Sequence, residues 1–517
     1  MVRFVGKGIL LIMLVGCSQV ETKKLDEEAV KSLTAVAEKN RFYSDHLFDE
    51  VPNYLYDFST NREEELPEDL LQTLRITNTT TPSLTKENMI EDVEVLHLTL
   101  KYMYALYEYM GGDEAFETAR DEMIQTIEEL PDETTIHAHQ MIAMLKEHYH
   151  FIVDDHFLIN HEPIVESEHR FYFSEQVRFR QLENGEYSVV GDEQVRLKEI
   201  NGDHNIDSYL KPSLHDDGNL VFILGLFSED VTSEDREWEF TFEDETTETI
   251  TLDLMPNKLP RHQIGDPFAL TEKEGVPWLQ IRSMFAYEQA PYDYYDIINT
   301  ANELKEQPYF VLDVRGNQGG SMILVDKWLE AFFDQSISWS SQSIHLFSNT
   351  TSTFVEDTIE LYQSQAGLSS QTFEDDFTHL YRVEAFGEIT DPQWEIDSTT
   401  MQTVQDNETH IFILVDNDTA SAAEHLVSKL KLANRTTIIG VNTSGSIISG
   451  NSLMWRLPNT QIELFTPTFF NYHPDLLQKE TVGIQPDLWV TAPGVESRVL
   501  AFIEEHTAGT SGLIYAK

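Results

Sequence analysis

The chain is 517 residues long, which at about 150 residues per domain predicts about three domains. Subtracting 35 Lys and Arg from 90 Asp and Glu leaves a net charge of −55, a balance that repels phosphate backbones and excludes nucleic acid as a partner. With 41% hydrophobic and 11% aromatic residues there is apolar material for several packed cores, which excludes a globally disordered chain.

A single cysteine rules out an internal disulfide, and its setting is informative. Arg3 and Lys7 flank the start of an unbroken apolar stretch, Ile9 to Val15, which is followed by Gly16 and Cys17. That stretch is well short of the ~20 residues needed to span a bilayer, and the polar SQVETKK after it supplies no stop-transfer helix. Residues 1–16 therefore read as a secretory signal. The LVGC from Leu14 to Cys17 resembles a bacterial lipobox, in which the cysteine is lipidated and the chain cut before it; the other reading is an ordinary signal with an incidental thiol. The resemblance implies an extracytoplasmic protein held at the cell membrane by acyl chains on Cys17.

Residues 17–65 are polar, with few apolar anchors, and read as a tether. Over 66–165, apolar residues recur at helical spacing, as at Leu96, Leu100, Met103 and Leu106 and again at Met141, Met144 and Leu145, which predicts a helical N-terminal domain. Short alternating runs between 166 and 260, such as VRLKEI, LVFIL, WEFTF and TITLDL, predict a β-rich insert whose order resembles a divergent PDZ-like module. From 261 to 517, strands PWLQIRS, YFVLDVR, HIFILVD and TTIIGV alternate with helical patterns, the signature of an α/β domain with a largely parallel sheet. The aromatic FAYEQAPYDYYD, Phe285 to Asp296, fits either a substrate groove or core packing.

Two motifs in the α/β region carry chemistry. In YFVLDVRGNQGGSM an apolar strand runs into Gly319 and Gly320, whose bare backbone can turn amide N–H groups toward a developing oxyanion; a simple tight turn is the alternative. In HIFILVDNDTASAAEHLVSKLKLAN a strand ends at Val415, and Ala422, Ala423, Leu426, Val427 and Leu430 form the apolar stripe of a helix with Ser421 in its first turn. A serine there sits at the positive end of the helix, suited to nucleophilic attack, although Thr419 or Ser421 could equally serve as a cap.

The ordered set DVRGNQGG, TASAAE, IIGVNTSG and ETVGIQPDLWV resembles the S41 peptidases, the tail-specific and tricorn-core group, over roughly residues 140 to 495. The resemblance implies an α+β multidomain protein with a ClpP/crotonase-like α/β catalytic core, and a serine peptidase acting on polypeptides without metal or organic cofactor. It identifies Ser421 as the nucleophile, with an oxyanion hole from the amides of Ala422 and of Gly319 or Gly320. The tail-specific branch takes its base from a lysine after the G-x-x-T-x-G segment, but Ser446 stands there, and Lys429 and Lys431 lie on the far side of the helix from its N-terminus. The tricorn-like branch takes a histidine from the N-terminal part, which corresponds to His156 in LKEHYHFIVDDHFLI, and orients it through a glutamate that corresponds to Glu480. That branch has a serine where this chain has Asp155, so Asp155 or Glu480 holds the imidazole, or neither does.

His148, His150, Asp154, Asp155, His156 and His161 crowd together, yet their spacing fits neither the compact H-x-H-x-D-H set nor H-E-x-x-H, which argues against zinc. The competing class of function is a non-catalytic peptide-binding lipoprotein on a degenerate S41 scaffold. The two part on one distance: general-base transfer needs His156 and Ser421 at ~3 Å or bridged by one water.

Overall fold

A computed structural model describes residues 23–41, 48–60, 63–77, 82, 84–131, 137–285, 292–366, 391–400 and 407–507. Residues 1–22, Cys17 among them, and residues 286–291 of the aromatic segment lie outside these. The fold is mixed α and β, built on three sheets.

The first sheet carries the predicted α/β pattern. Its strands, in spatial order, are Phe268–Lys273, Val276–Ile281, Tyr309–Asp313, His410–Val415, Thr436–Gly440 and Leu488–Trp489. The first two form an antiparallel hairpin, and every later pairing is parallel. The central strands are buried along their whole length because helices cover both faces, and they are apolar except at Asp313, His410, Thr436 and Thr437. Side chains alternate across the sheet as the pleat requires. Phe310, Leu312, Ile411 and Ile413 join the core beneath helices Tyr294–Leu304, Met322–Phe333 and Ala422–Leu430, whereas Val311, Phe412 and Leu414 meet helices Glu27–Glu38 and Val495–Thr507.

The helix Glu27–Glu38 corrects the expected tether. Ala29, Leu33, Val36 and Ala37 follow helical spacing and are buried against the sheet, a narrow stripe that the surrounding acidic residues obscure in the sequence. The N-terminal helices Lys86–Met103, Gly112–Glu129 and Ala138–His148 form as predicted, except that Leu106 falls in the turn beyond the first. They share one continuous core with the α/β part, Leu100, Met141 and Leu145 belonging to the same cluster as Leu312, Ile344 and Trp455.

The second sheet is antiparallel and joins distant segments: Gln393–Thr399, Ser341–Phe347, Glu463–Tyr472, Leu158–Ile159 and Glu162–Pro163, with Ser449–Arg456 also paired to Glu463–Tyr472. The third comprises eight strands between Arg170 and Leu254 and contains one short 3₁₀ turn but no α-helix among its described residues. It is fastened to the first sheet by the Phe171 ring stacked 4.0 Å from Trp489, by the Ser213 hydroxyl donating to the Trp489 carbonyl at 2.6 Å, and by Arg498 paired with Glu175 at 2.9 Å.

Beneath the glycine turn, Asp313 is fully buried between two guanidinium groups. Arg282 donates to it at 2.7 and 2.9 Å and Arg315 at 2.8 and 2.6 Å, while Arg315 also reaches Glu496. Burial alone would raise the Asp313 carboxyl, but the two arginines outweigh it and hold it far below the ordinary range. Asp313→Asn would leave buried cations undercompensated, and we expect a loss of about 3–5 kcal/mol, measured as a lowered urea midpoint with an unchanged m-value.

Candidate active site

Three parallel strands deliver the site from their carboxyl ends: Tyr309–Asp313 into the glycine turn, His410–Val415 into Ser421, and Thr436–Gly440 into the loop 441–446. After Val415, the Asp416 carboxylate shapes the turn by accepting from the Gly316 and Leu259 amides, both at 2.8 Å. The Thr419 hydroxyl donates to the Val314 carbonyl at 3.0 Å, so it braces the turn. Ser421 occupies the N-cap of helix Ala422–Leu430 with φ 53° and ψ −122°. Positive φ in a non-glycine residue costs of order 1–3 kcal/mol and is held only where neighbours enforce it.

The chief neighbour is Glu424, fully buried one turn into the helix. Its carboxylate accepts from the Ser421 amide at 3.2 Å, from the Gly445 and Ser446 amides at 2.9 and 2.8 Å, and from the Thr443 hydroxyl. Burial pushes this carboxyl up to about 7, opposed by the donors that converge on it.

The imidazole of His156 faces Ser421, with Nε2 at 3.0 Å from Oγ. The chain reaches this point because Leu158 and Ile159 pair with Phe465 and Leu464. Asp154, 2% exposed, closes the turn by accepting from the His156 amide at 3.0 Å, the Ser449 hydroxyl at 2.6 Å and the Tyr104 hydroxyl at 2.9 Å. Glu480 accepts from the Asp155 amide at 3.0 Å with one oxygen and from the Ile447 and Ile448 amides at 2.9 and 3.0 Å with the other. Burial raises both the Asp154 and Glu480 carboxyls, and their mutual repulsion raises Glu480 further. The Asp155 carboxylate accepts from the Ser446 hydroxyl, in the segment where a lysine would stand. Neither Asp155 nor Glu480 bonds the imidazole: Nδ1 of His156 is buried without a hydrogen-bond partner among the described residues.

In the glycine turn, buried Asn317 fixes the backbone. Its amide nitrogen donates to the Ile281 carbonyl at 3.0 Å, and its Oδ1 accepts from the Gly319 N–H at 2.9 Å. Gly319 lies so close to the Ser421 turn, at φ 96°, that a Cβ there would come within 2.7 Å of the Ser421 Cβ and 3.0 Å of the Ala422 nitrogen. Its amide is thus committed, whereas those of Gly320 and Ala422 have no partner among the described residues.

The remaining histidines disperse. His148 contacts Thr126, His150 the Glu147 carbonyl, and His161 pairs with Glu463 at 3.2 Å. Lys429 pairs with Asp326, and Lys431 donates to the Asn40 carbonyl at 3.1 Å. Glu63, His97 and Glu117 place potential metal-binding atoms within 4.8 Å of one another, but Lys101 already bonds Glu63 at 2.6 Å and Arg120 lies at 3.7 Å. Those cations supply the counter-charge a metal would bring, and the group shares no residue with the Ser421 site.

Asp154, Glu424 and Asn317 are the residues that sequence reasoning did not assign. Glu424 had a signal, because Ser-x-x-Glu at a helix start is the capping-box pattern. Asp154 and Asn317 had none, since which of two adjacent carboxylates turns inward is a property of the folded turn.

Residues 276–490 match the sequence model of peptidase family S41. The chain therefore carries an S41 peptidase domain. No curated protein matches the sequence. Among solved structures, the S41 chain is similar to mature CPAF, at 13% identity over 82% of this chain and 96% of that one, with a TM-score of 0.41. It is also similar to the photosystem II D1 C-terminal processing protease, at 11% identity over 82% and 97% with a TM-score of 0.35. The tricorn protease is similar at 12% identity over 81% of this chain and 37% of that one, with a TM-score of 0.34.

Glu424 predicts a pH signature. An unfolded glutamate ionises near 4.5 and the folded one near 7, so the folded state is weakened as pH rises through that window and the effect is complete above it. In urea titrations, the stability of the wild type relative to Glu424→Gln should fall by about 3 kcal/mol between pH 4 and pH 8.

Proposed function

We propose that this S41 peptidase is a serine peptidase in which Ser421 is the nucleophile and His156 the general base. The observation that carries the reading is the 3.0 Å contact between Nε2 and Oγ, made by residues 265 positions apart in the chain. A neutral imidazole accepts the hydroxyl proton through Nε2 as Oγ attacks the scissile carbonyl. The tetrahedral oxyanion is met by the Gly320 and Ala422 N–H groups at the helix N-terminus, Asn317 holding the turn in shape. His156 returns the proton to the leaving amine, and water releases the acyl group by the reverse sequence. These steps call on no metal or organic cofactor.

Asp155 and Glu480 act as positioning residues. They fix the backbone beside His156 and the loop 446–448, while Asp154 closes the turn by accepting from the His156 amide. The contact distance also supports catalysis over the peptide-binding alternative, which predicts a separated pair. The substrate class is polypeptide, as expected of an S41 peptidase. We further propose that the protein works outside the cytoplasm, anchored by lipid on Cys17; the support is the LVGC sequence after its apolar run. No described helix is long and apolar enough to cross a membrane.

Ser421→Ala should abolish labelling by a serine-directed fluorophosphonate and peptide hydrolysis together, and persistent labelling would reject the assignment. His156→Ala should lower kcat by roughly 10³-fold or more while the protein still folds, read by steady-state kinetics beside a thermal melt. Cys17→Ser should shift the expressed protein from the detergent phase to the aqueous phase in a Triton partition.

A further inference from the structure

A cavity of about 330 Å³ lies beside the Ser421 turn and takes no part in the steps above. Its walls are the helix that leaves the glycine turn, the strand Ser341–Phe347 and the helix that begins at Ser421. Met322 on the first wall is two residues beyond Gly320. His425 lies one turn into the helix that Ser421 caps, and its amide donates to the Ser421 carbonyl at 3.0 Å. A substrate whose carbonyl sits at Ser421 therefore has this cavity within reach of an adjacent side chain.

The wall chemistry narrows what can enter. His425 is 3% exposed, with Nδ1 buried and unpartnered, and its ring lies nearly parallel to the Trp339 indole at 5.6 Å. Burial pushes this imidazole down to about 3, so it is neutral at physiological pH and keeps both a donor and an acceptor. Lys429 is neutralised by Asp326, and Glu330 is exposed at the rim. A charged side chain of either sign would lose hydration against buried Trp339 and Ile337, with the Lys429–Asp326 pair already closed on itself. Trp339, Ile337 and Met322 offer apolar surface to a flat ring. Nδ1 is sealed, whereas Nε2 is not and has no partner among the described residues, so a polar atom at the tip of that ring can bond the imidazole there.

We propose that this cavity receives the side chain of the residue that supplies the scissile carbonyl, and that it selects tyrosine, the phenol lying against Trp339 with its hydroxyl bonded to the His425 imidazole. The inference rests on Ser421 as nucleophile. It assigns Trp339 and His425 as specificity-determining residues of the peptidase.

The test uses the full chain and peptidyl diphenyl phosphonates, which phosphonylate a serine nucleophile and carry a chosen side chain at the carbonyl position. The tyrosine analogue should label Ser421 about tenfold faster than the phenylalanine analogue, the difference expected of one buried hydrogen bond, and both should outpace lysine and glutamate analogues. His425→Phe should bring the tyrosine-to-phenylalanine ratio to about one. Ser343→Leu, which narrows the cavity from the strand side, should slow both aromatic probes relative to an alanine probe and serves if His425→Phe does not fold. A ratio near one in the parent protein, or one that survives His425→Phe, overturns the pocket while leaving Ser421 as nucleophile. Absence of labelling by every probe, a simple fluorophosphonate included, overturns both.

Discussion

His156 meets Ser421 because buried carboxylates fasten the turn that carries it. Asp154 gathers the His156 amide and two hydroxyls, and Glu480 bridges the Asp155 amide to the Ile447 and Ile448 amides. Taking such groups out of water is expensive, and the expense is offset only when nearly every lone pair is satisfied. A network in that condition tolerates little displacement, which is the property a proton-transfer geometry requires. The imidazole is aimed through its backbone: the ring nitrogen remote from Ser421 has no partner among the described residues, and the peptides on either side are held by Asp154 and Glu480.

Ser421 is held by similar means from the other direction. Glu424 ties the positive-φ residue to the loop 443–446, and Asn317 ties the glycine turn to the neighbouring strand. Below them Asp313 and its two arginines form the floor. All of this happens at the carboxyl ends of parallel strands, where open α/β sheets leave backbone amides unpaired and a ligand can meet them. Ser421, Gly320 and Ala422 are brought together by strand order, whereas His156 arrives from the antiparallel sheet alongside.

The sequence disclosed the parts whose physics is local. Four strands of the parallel sheet showed as apolar runs, the Ser421 helix as an amphipathic stripe, and the glycine turn as a strand followed by paired glycines. The value of His156 became visible only through resemblance, because nothing in LKEHYHFIVDDHFLI says which of its histidines will face a serine 265 residues away. Long-range choices were illegible for the same reason. The contest between Asp154 and Asp155 turns on the direction of one peptide. Asn317 takes the Gly319 amide through a side chain that the motif gave no cause to single out. The helix at Glu27–Glu38 was hidden because four apolar residues among acidic ones make a weak periodic signal, although they suffice to cover one face of a sheet.

Glu480 lies close to the end of the chain, and the strand that docks Leu158 and Ile159 begins only at Glu463. During synthesis the imidazole is made early, the alcohol late, and the clamp that unites them last of all. The contact between His156 and Ser421 therefore leans on polypeptide that follows both: without Glu463–Tyr472 and Glu480, neither the turn that carries the ring nor the loop 446–448 has its partners.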